Sequence, residues 1–356
     1  MVRHQVSDGV RLSIARATEL GEHALQCLGF PVEEAQVICA HLVDAACCGY
    51  LFAGLPRILE IAEDPRTREP RQPIRVVRET PVSMLVDGGN HIGYYAVYQT
   101  ARMAIEKAKQ SGIALVGLNN STLSGRNAYY LELIARENLV GMLFSCGWPV
   151  VAPEGGARPM FGTNPLAVAL PTGNAPMIFD MGTGAIMRGE LVLRSCLNEE
   201  LPEGVAIDEN GLPTRDPHKA SKGSILPFGG ADSHKGFGLS FTIQALGLLA
   251  GASLPRGRVQ DYGYLFVVFD PGLLVPEAQF KRDIDELITL IKATPRRPGG
   301  DEIRIPSERA FRERERARKE GILVDRKVFD ALNAIRAGHE GEETQKVSKS
   351  GNDYEY

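Results

Sequence analysis

Residues 82–118 read VSMLVDGGNHIGYYAVYQTARMAIEKAKQSGIALVGL. Val82 to Gly89 has a short apolar run ending in two glycines, which reads as a strand and its turn. Tyr94 to Gln110 carries apolar residues at helical spacing, and Ile113 to Leu118 is a second apolar run. The alternation continues outward: Arg126 to Asn138 as a helix, then LVGMLFSC (139–146) as a strand. LAVALP and MIFDMG follow as two short strands, with a helix over 189–200. Strands alternating with helices imply an α/β sheet covered on at least one face.

Before this region the chain reads as helical. Pro31 suits a first helical position, Glu33 and Glu34 favour the positive end of the dipole, and Ala35, Ile38, Leu42 and Ala45 share a face. The connector EDPRTREPRQP closes that part. Beyond the sheet region, DENGLPTRDPHKA reads as a turn-rich surface excursion, and residues 235–250 as a buried helix. YGYLFVVFDP then forms a strand, Pro276 to Ala293 a helix, and SERAFRERERARKEG a helix with Ser307 at its N-cap.

The chain has 356 residues and a formal net charge of -4, so nothing in its charge calls for a nucleic-acid or anionic-membrane partner. GLSFTIQALGLLAGA (238–252) is the most apolar segment, too short for a membrane span and interrupted by Thr242 and Gln244. Six cysteines show neither metal spacing nor a disulfide framework, and the histidines do not cluster. The expectation is a cytoplasmic protein without a metal site. No G-x-G-x-x-G follows an expected strand, which argues against a Rossmann domain but not against a nicotinamide cofactor.

Three stretches carry more Gly, Asn, Pro and charge than packing needs: VVAPEGGARPMFGTNPLAVALP, FDMGTGAIMRGE and FGGADSHKGFGL. A lysine at a helix start, with glycines allowing close approach, suits an anion; taken singly, tight turns beside a surface lysine explain each equally well. In this order the three resemble the malate/L-lactate dehydrogenase family of NAD(P)-dependent oxidoreductases. That family is distinct from the Rossmann-type lactate dehydrogenases and includes ureidoglycolate, sulfolactate and cyclic-imino-acid enzymes. The likeness runs from about Ala17 to Ile335 and also takes in LPEGVAIDENGLPTRDP and ATPRRPGGDEIRIPSE.

The resemblance implies an α/β, non-Rossmann nicotinamide-dependent dehydrogenase fold, with a large mixed sheet and helical N- and C-terminal segments. On that basis 1–75 packs with 300–337 and 76–299 holds cofactor and substrate; the nearly apolar-free residues 338–356 read, from composition, as a disordered tail. It further implies a homodimer with the site near the subunit interface, and NAD or NADP lying against Thr163, Asn164, Met181, Gly182, Thr183, His234, Lys235 and Gly236. Arg304 and Ser307 join them. Gly184 and Glu190 stand where the family has serine and lysine.

The catalytic pattern differs. The family loop matching 120–125 reads Asn-Ser-x-His-Phe-Gly, and its proton-donating histidine is Leu123 here. Asp-Ser-His-Gly becomes Leu51-Phe52-Ala53-Gly54, while the following arginine persists as Arg57, a carboxylate anchor or a surface group. The family's asparagine is Cys146. Phe52, Ala53, Leu123, Cys146 and Trp148 would therefore line an apolar substrate pocket, with Trp148 and Cys146 also explicable as packing. Tyr129, Tyr130, Ser121, Ser124 and His41 are alternative proton donors; the tyrosines also read as helix packing, the serines as turn residues and His41 as a surface residue. These residues favour an NAD(P)H-dependent reductase of an imine or cyclic imino acid over one acting on a simple 2-keto acid. A lyase, cyclase or isomerase on the same scaffold is the alternative, and a catalytically silent binding partner the third reading.

Overall fold

The computed structural model describes residues 8–256 and 261–337; the tail expected over 338–356 lies outside them. The chain divides into two compact units, one formed by residues up to Glu69 together with those from Ala310, the other by Pro70–Arg309.

In the first unit an early and a late strand of the chain pair. Strand Gly9–Leu12 pairs antiparallel with Ile322–Asp325, Val10 opposite Val324. Helix Ile14–Cys27 is capped by the Ser13 hydroxyl, which accepts from the Arg16 amide, and packs on Val32–Cys47. Pro31 is the N-cap of that second helix and not its first helical residue. Gly21 sits at the contact, where a Cβ would fall 2.7 Å from Cys39 Sγ. The half-buried Asp44 carboxylate receives Arg314 at 3.0 Å, tying the two ends of the chain. His41, a candidate proton donor or surface residue from the sequence, is fully buried on the inner face of its helix, so it is neither at the surface nor an accessible proton donor.

The second unit is built on a seven-stranded sheet. Across it run Arg75–Thr80, Ser83–Asp87, Ile113–Asn119, Gly263–Phe269, Val140–Cys146, Leu166–Leu170 and Met177–Met181. Only Ser83–Asp87 and Ile113–Asn119 pair parallel; every other neighbour is antiparallel, which makes the sheet mixed. Val86, Val116, Phe266 and Leu143 lie fully buried on neighbouring strands and form its middle. The connecting helices are Gly93–Ser111, ended by Gly112 at φ 77, and Asn127–Arg136. The latter lies so close to the sheet that a Cβ on Gly141 would come within 2.9 Å of both Leu131 and Ile134.

Residues 75–80, which lie between the connector and the first expected strand, form an edge strand; its charges at Arg75, Arg78 and Glu79 suppress pairing with other chains. The helix expected to be buried, Ser233–Leu249, inserts one face only: Phe241 and Leu249 are 60% and 66% exposed. An all-apolar helix reads as buried, yet this chain covers one side of it.

The excursion after residue 200 has a core of its own. Hairpin Ala206–Ile207/Ser224–Ile225 and helix Pro217–Lys222 enclose Val151, Phe161, Ile186, Leu191, Leu201, Ala206, Ala220 and Ile225. Helix Arg188–Leu197 ends at Asn198 in the left-handed region, and its Arg194 reaches Glu190, Glu199 and the Glu200 carbonyl. Glu190 is thereby engaged within this subregion.

Candidate active site

Strand direction gathers the candidates. Ser83–Asp87, Ile113–Asn119, Val140–Cys146 and Met177–Met181 all end at the same edge of the sheet, where Leu166–Leu170 and Gly263–Phe269 begin. The loops after Asp87, Asn119, Cys146 and Met181 therefore share that edge with the turn before Leu166. They carry Leu123, Trp148, Thr163, Asn164, Gly182 and Thr183, with Cys146 and Met181 at the strand ends.

The loop bearing Leu123 is fixed from several sides. Asp87 Oδ1 accepts from the Gly89 amide at 3.0 Å and from Asn120 Nδ2 at 2.7 Å. Burial opposes ionisation of Asp87, but these donors and Arg75 outweigh it and hold the carboxyl below its usual range. Ser121 Oγ donates to the His91 carbonyl at 2.8 Å, Ile92 bridges Thr122, and the Gly93 amide donates to the Thr122 carbonyl. Any side chain at 93 would strike Thr122 O at 2.5 Å, so glycine is needed for that approach. Leu123 itself sits at φ 53, a left-handed conformation uncommon for leucine. Tyr130 Oη donates to the Ser124 carbonyl at 2.7 Å. Tyr130 is fully buried, with its phenol pushed well up by burial, so it braces the loop and is no acid at neutral pH. Tyr129 is half-buried against the Tyr130 ring.

Asp180 closes this frame and was not singled out from the sequence. Its Oδ2 accepts from the Ala128 amide at 2.8 Å, capping helix Asn127–Arg136 from a neighbouring strand. Burial raises its pKa, while the Ala128 and Asn127 amides and the Arg126 guanidinium pull the other way. A lone carboxylate in the apolar run MIFDMG was the available signal. His91, held beside Ser121 at the same edge, was likewise passed over.

Cys146 faces the helix behind the sheet. It is 2% exposed, and a Cβ on Gly247 would meet its Sγ at 2.1 Å, so it packs there and does not line an open pocket. Burial pushes its thiol up to about 11. At pH 8 the thiolate fraction is then about 10⁻³. Iodoacetamide on the folded protein should label the exposed Cys196 and leave Cys146 intact, as peptide mass spectrometry would show. Trp148 is 43% exposed, which corrects the packing reading.

The cofactor candidates form a connected group. The Thr183 amide and hydroxyl both donate to the Thr163 carbonyl, at 2.7 and 3.1 Å. The Phe228 amide donates to the Thr183 carbonyl, and Gly236 lies against Phe228. Gly182 leaves room for Met187, whose Sδ would be 2.4 Å from a Cβ. Asn164 is 1% exposed at φ 27; its Nδ2 donates to the Ser240 carbonyl and to Gln244 Oε1, both at 3.1 Å. Its Oδ1 is buried without a hydrogen-bond partner among the described residues. His234 and Lys235 stand exposed in the first turn of helix Ser233–Leu249, Lys235 3.3 Å from Asp232. The positive end of a helix, an exposed lysine and an unsatisfied buried amide oxygen fit a phosphate-bearing cofactor with an amide group. Ser307, at φ 68, does not cap its helix through the hydroxyl; Oγ donates to the Ile178 carbonyl at 2.6 Å. Arg304 is exposed.

Phe52, Ala53 and Arg57 belong to the other unit. Phe52 and Ala53 lie in a 3-10 turn, with Phe52 edge-on to Tyr50 and Ala53 buried. Arg57 opens helix Arg57–Glu63 and forms an ion pair with Glu60, which competes with any carboxylate it would anchor.

The sequence pattern of the malate/L-lactate dehydrogenase family matches residues 12–333. The chain belongs to this family. It is 35% identical over 322 residues to a malate/(S)-sulfolactate dehydrogenase of Methanothermus fervidus, covering 87% of this chain and 93% of that one. It is 32% identical over 345 residues to a Δ1-pyrroline-2-carboxylate reductase of Ancylobacter novellus, covering 93% and 98%. The fold superposes on malate dehydrogenase from Pyrococcus horikoshii with a TM-score of 0.84 at 30% identity, covering 94% and 97%. The non-Rossmann mixed α/β fold is that of the family, whose members are NAD(P)-dependent dehydrogenases, and this chain is an oxidoreductase. No described helix is long and apolar enough to cross a membrane.

Proposed function

We propose that this family member is an NAD(P)H-dependent reductase of a carbon–nitrogen double bond, with a cyclic imino acid preferred over a simple 2-keto acid. One observation carries the reading. At the position where the resemblance places a proton-donating histidine, a rigidly framed loop presents Leu123. Bound NAD(P)H supplies a hydride. A ketone receiving it becomes an alkoxide, and a positioned acid is then worth about 10²- to 10⁴-fold. A protonated imine already carries its proton and becomes a neutral amine, so an apolar neighbour suffices. The likeness to a Δ1-pyrroline-2-carboxylate reductase supports the same class.

In this reading Thr163, Asn164, Met181, Gly182, Thr183, His234, Lys235 and Gly236 hold the cofactor, with Arg304 and Ser307 beside them. Leu123 and Trp148 shape the pocket, with Tyr129 in the first turn of the helix that follows the Leu123 loop. The absence of a disulfide among the described cysteines is in keeping with a reducing, cytoplasmic setting. The exposed Phe241, Leu248 and Leu249 support a homodimer.

The test is incubation of the purified protein with NAD(P)H and Δ1-pyrroline-2-carboxylate, followed by mass analysis. A gain of about two daltons, the hydride plus a proton, is expected; an unchanged mass, or loss of water, points instead to an isomerase or lyase.

One observation favours a second reading, in which a keto acid is reduced with a displaced donor: the His91 carbonyl accepts from Ser121 Oγ, which places His91 next to the Leu123 loop. Under that reading His91→Gln would cut keto-acid turnover about 10²-fold or more. Under the imine reading the variant should retain imine turnover to within about threefold.

A further inference from the structure

Helix Ser233–Leu249 is turned against ordinary amphipathic logic. Its buried face is Gly236, Ser240, Ile243, Gln244 and Gly247, while Phe241, Leu248 and Leu249 are exposed. Two of its polar side chains thus point inward, a placement that normally costs stability unless each finds a partner. Ser240 Oγ donates to the Gly236 carbonyl at 3.0 Å, within the helix. Gln244, 8% exposed, meets Asn164.

The polarity of that meeting is determined. The Ser240 carbonyl can only accept, so Asn164 must turn Nδ2 toward it, at 3.1 Å. The same Nδ2 donates to Gln244, which must therefore present Oε1, also at 3.1 Å. From Asn164 the chain of contacts runs to Thr163, whose carbonyl takes both Thr183 donors, then to Phe228 and back to Gly236. It is a closed circuit. It starts and ends on one helix, at points about 12 Å apart by helical rise.

We propose that Gln244 is a positioning residue for the nicotinamide cofactor. Through Asn164 it sets the Thr163–Thr183 contact against the helix start, so that the two loops and the helix end carrying His234 and Lys235 are presented to one ligand together. The proposal rests on the reading that NAD(P)H lies against these segments.

The experiment compares full-length wild type with Gln244→Met, Gln244→Glu, Asn164→Ala and Lys235→Ala. NADH and NADPH affinities are read by fluorescence titration and folding by melting temperature. Methionine keeps the bulk but offers no comparable acceptor, and should weaken cofactor binding about tenfold. Glutamate keeps an acceptor and should stay within about threefold of wild type. Once Asn164→Ala is present, Gln244→Met should add little, because the pair acts as a unit.

A packing role alone would lower the melting temperature of Gln244→Met and leave affinity unchanged, which overturns the proposal. So does Gln244→Glu binding as poorly as Gln244→Met. If Gln244→Met does not fold, Gln244→Glu and Asn164→Ala still decide: the first must bind and the second must not bind normally. Failure of the underlying reading looks different. Wild type would not bind either cofactor, or Lys235→Ala would bind as tightly as wild type.

Discussion

Gly236→Ala is expected to remove measurable NAD(P)H binding. A Cβ there would lie 2.3 Å from the Phe228 carbonyl oxygen and 3.0 Å from its amide nitrogen. Both are backbone atoms, and the Phe228 amide is committed to the Thr183 carbonyl. Nothing flexible is available to yield, so the helix start must shift away from the Thr163–Thr183 turn. Overpacking of this kind costs about 1–3 kcal/mol. Displacement on the order of 1 Å at a binding constellation is enough to cost about 10²-fold. Fluorescence titration with NADH and NADPH measures it. Wild-type affinity in the folded variant would mean that Gly236 borders nothing the cofactor needs.

The second large effect is expected from Lys235→Glu, and its signature is ionic. Lys235 is 65% exposed at a helix N-terminus, where the dipole already favours an anion. Its ammonium lies 3.3 Å from Asp232; reversing the charge places two carboxylates at the entrance. A phosphate-bearing ligand then meets repulsion in place of attraction, weakening binding by about tenfold or more at low ionic strength. Because the group is exposed, the difference should shrink as salt shortens the screening length from about 30 Å at 0.01 M to about 3 Å at 1 M. Titrations across that range provide the check. A loss independent of salt would assign Lys235 a structural role.

These residues also show how far sequence reading reaches. The alternation from Ser83 to Cys146 was legible because each strand is a continuous apolar run flanked by a helix with clear ends. Strand Arg75–Thr80 was hidden by the charges that protect an edge. Strands Gly9–Leu12 and Ile322–Asp325 were hidden because four-residue strands find each other only through tertiary structure. The glycine-rich stretches announced close approaches, but not which atoms they admit: Phe228 at Gly236 and Met187 at Gly182. Asp180 and His91 escaped notice for a related reason, and Gln244 read only as a polar break in an apolar helix. Each becomes informative through the strand end or helix face that meets it, and the register of a mixed sheet decides those meetings. Cys146 errs in the opposite direction: a residue that looked like pocket lining is packing against a helix.

Leu123 remains the centre of the functional account. Its loop is held by Asp87, His91, Gly93 and Tyr130, so the absence of an acid at that position is built into a well-supported frame. The most direct measurement is the ratio of kcat/KM for Δ1-pyrroline-2-carboxylate to that for pyruvate or oxaloacetate, with one enzyme preparation and saturating NAD(P)H. The account predicts a ratio of about 10² or more in favour of the imine, the value of the missing acid. Equal efficiency, or preference for the keto acid, would contradict it and return the proton to another donor.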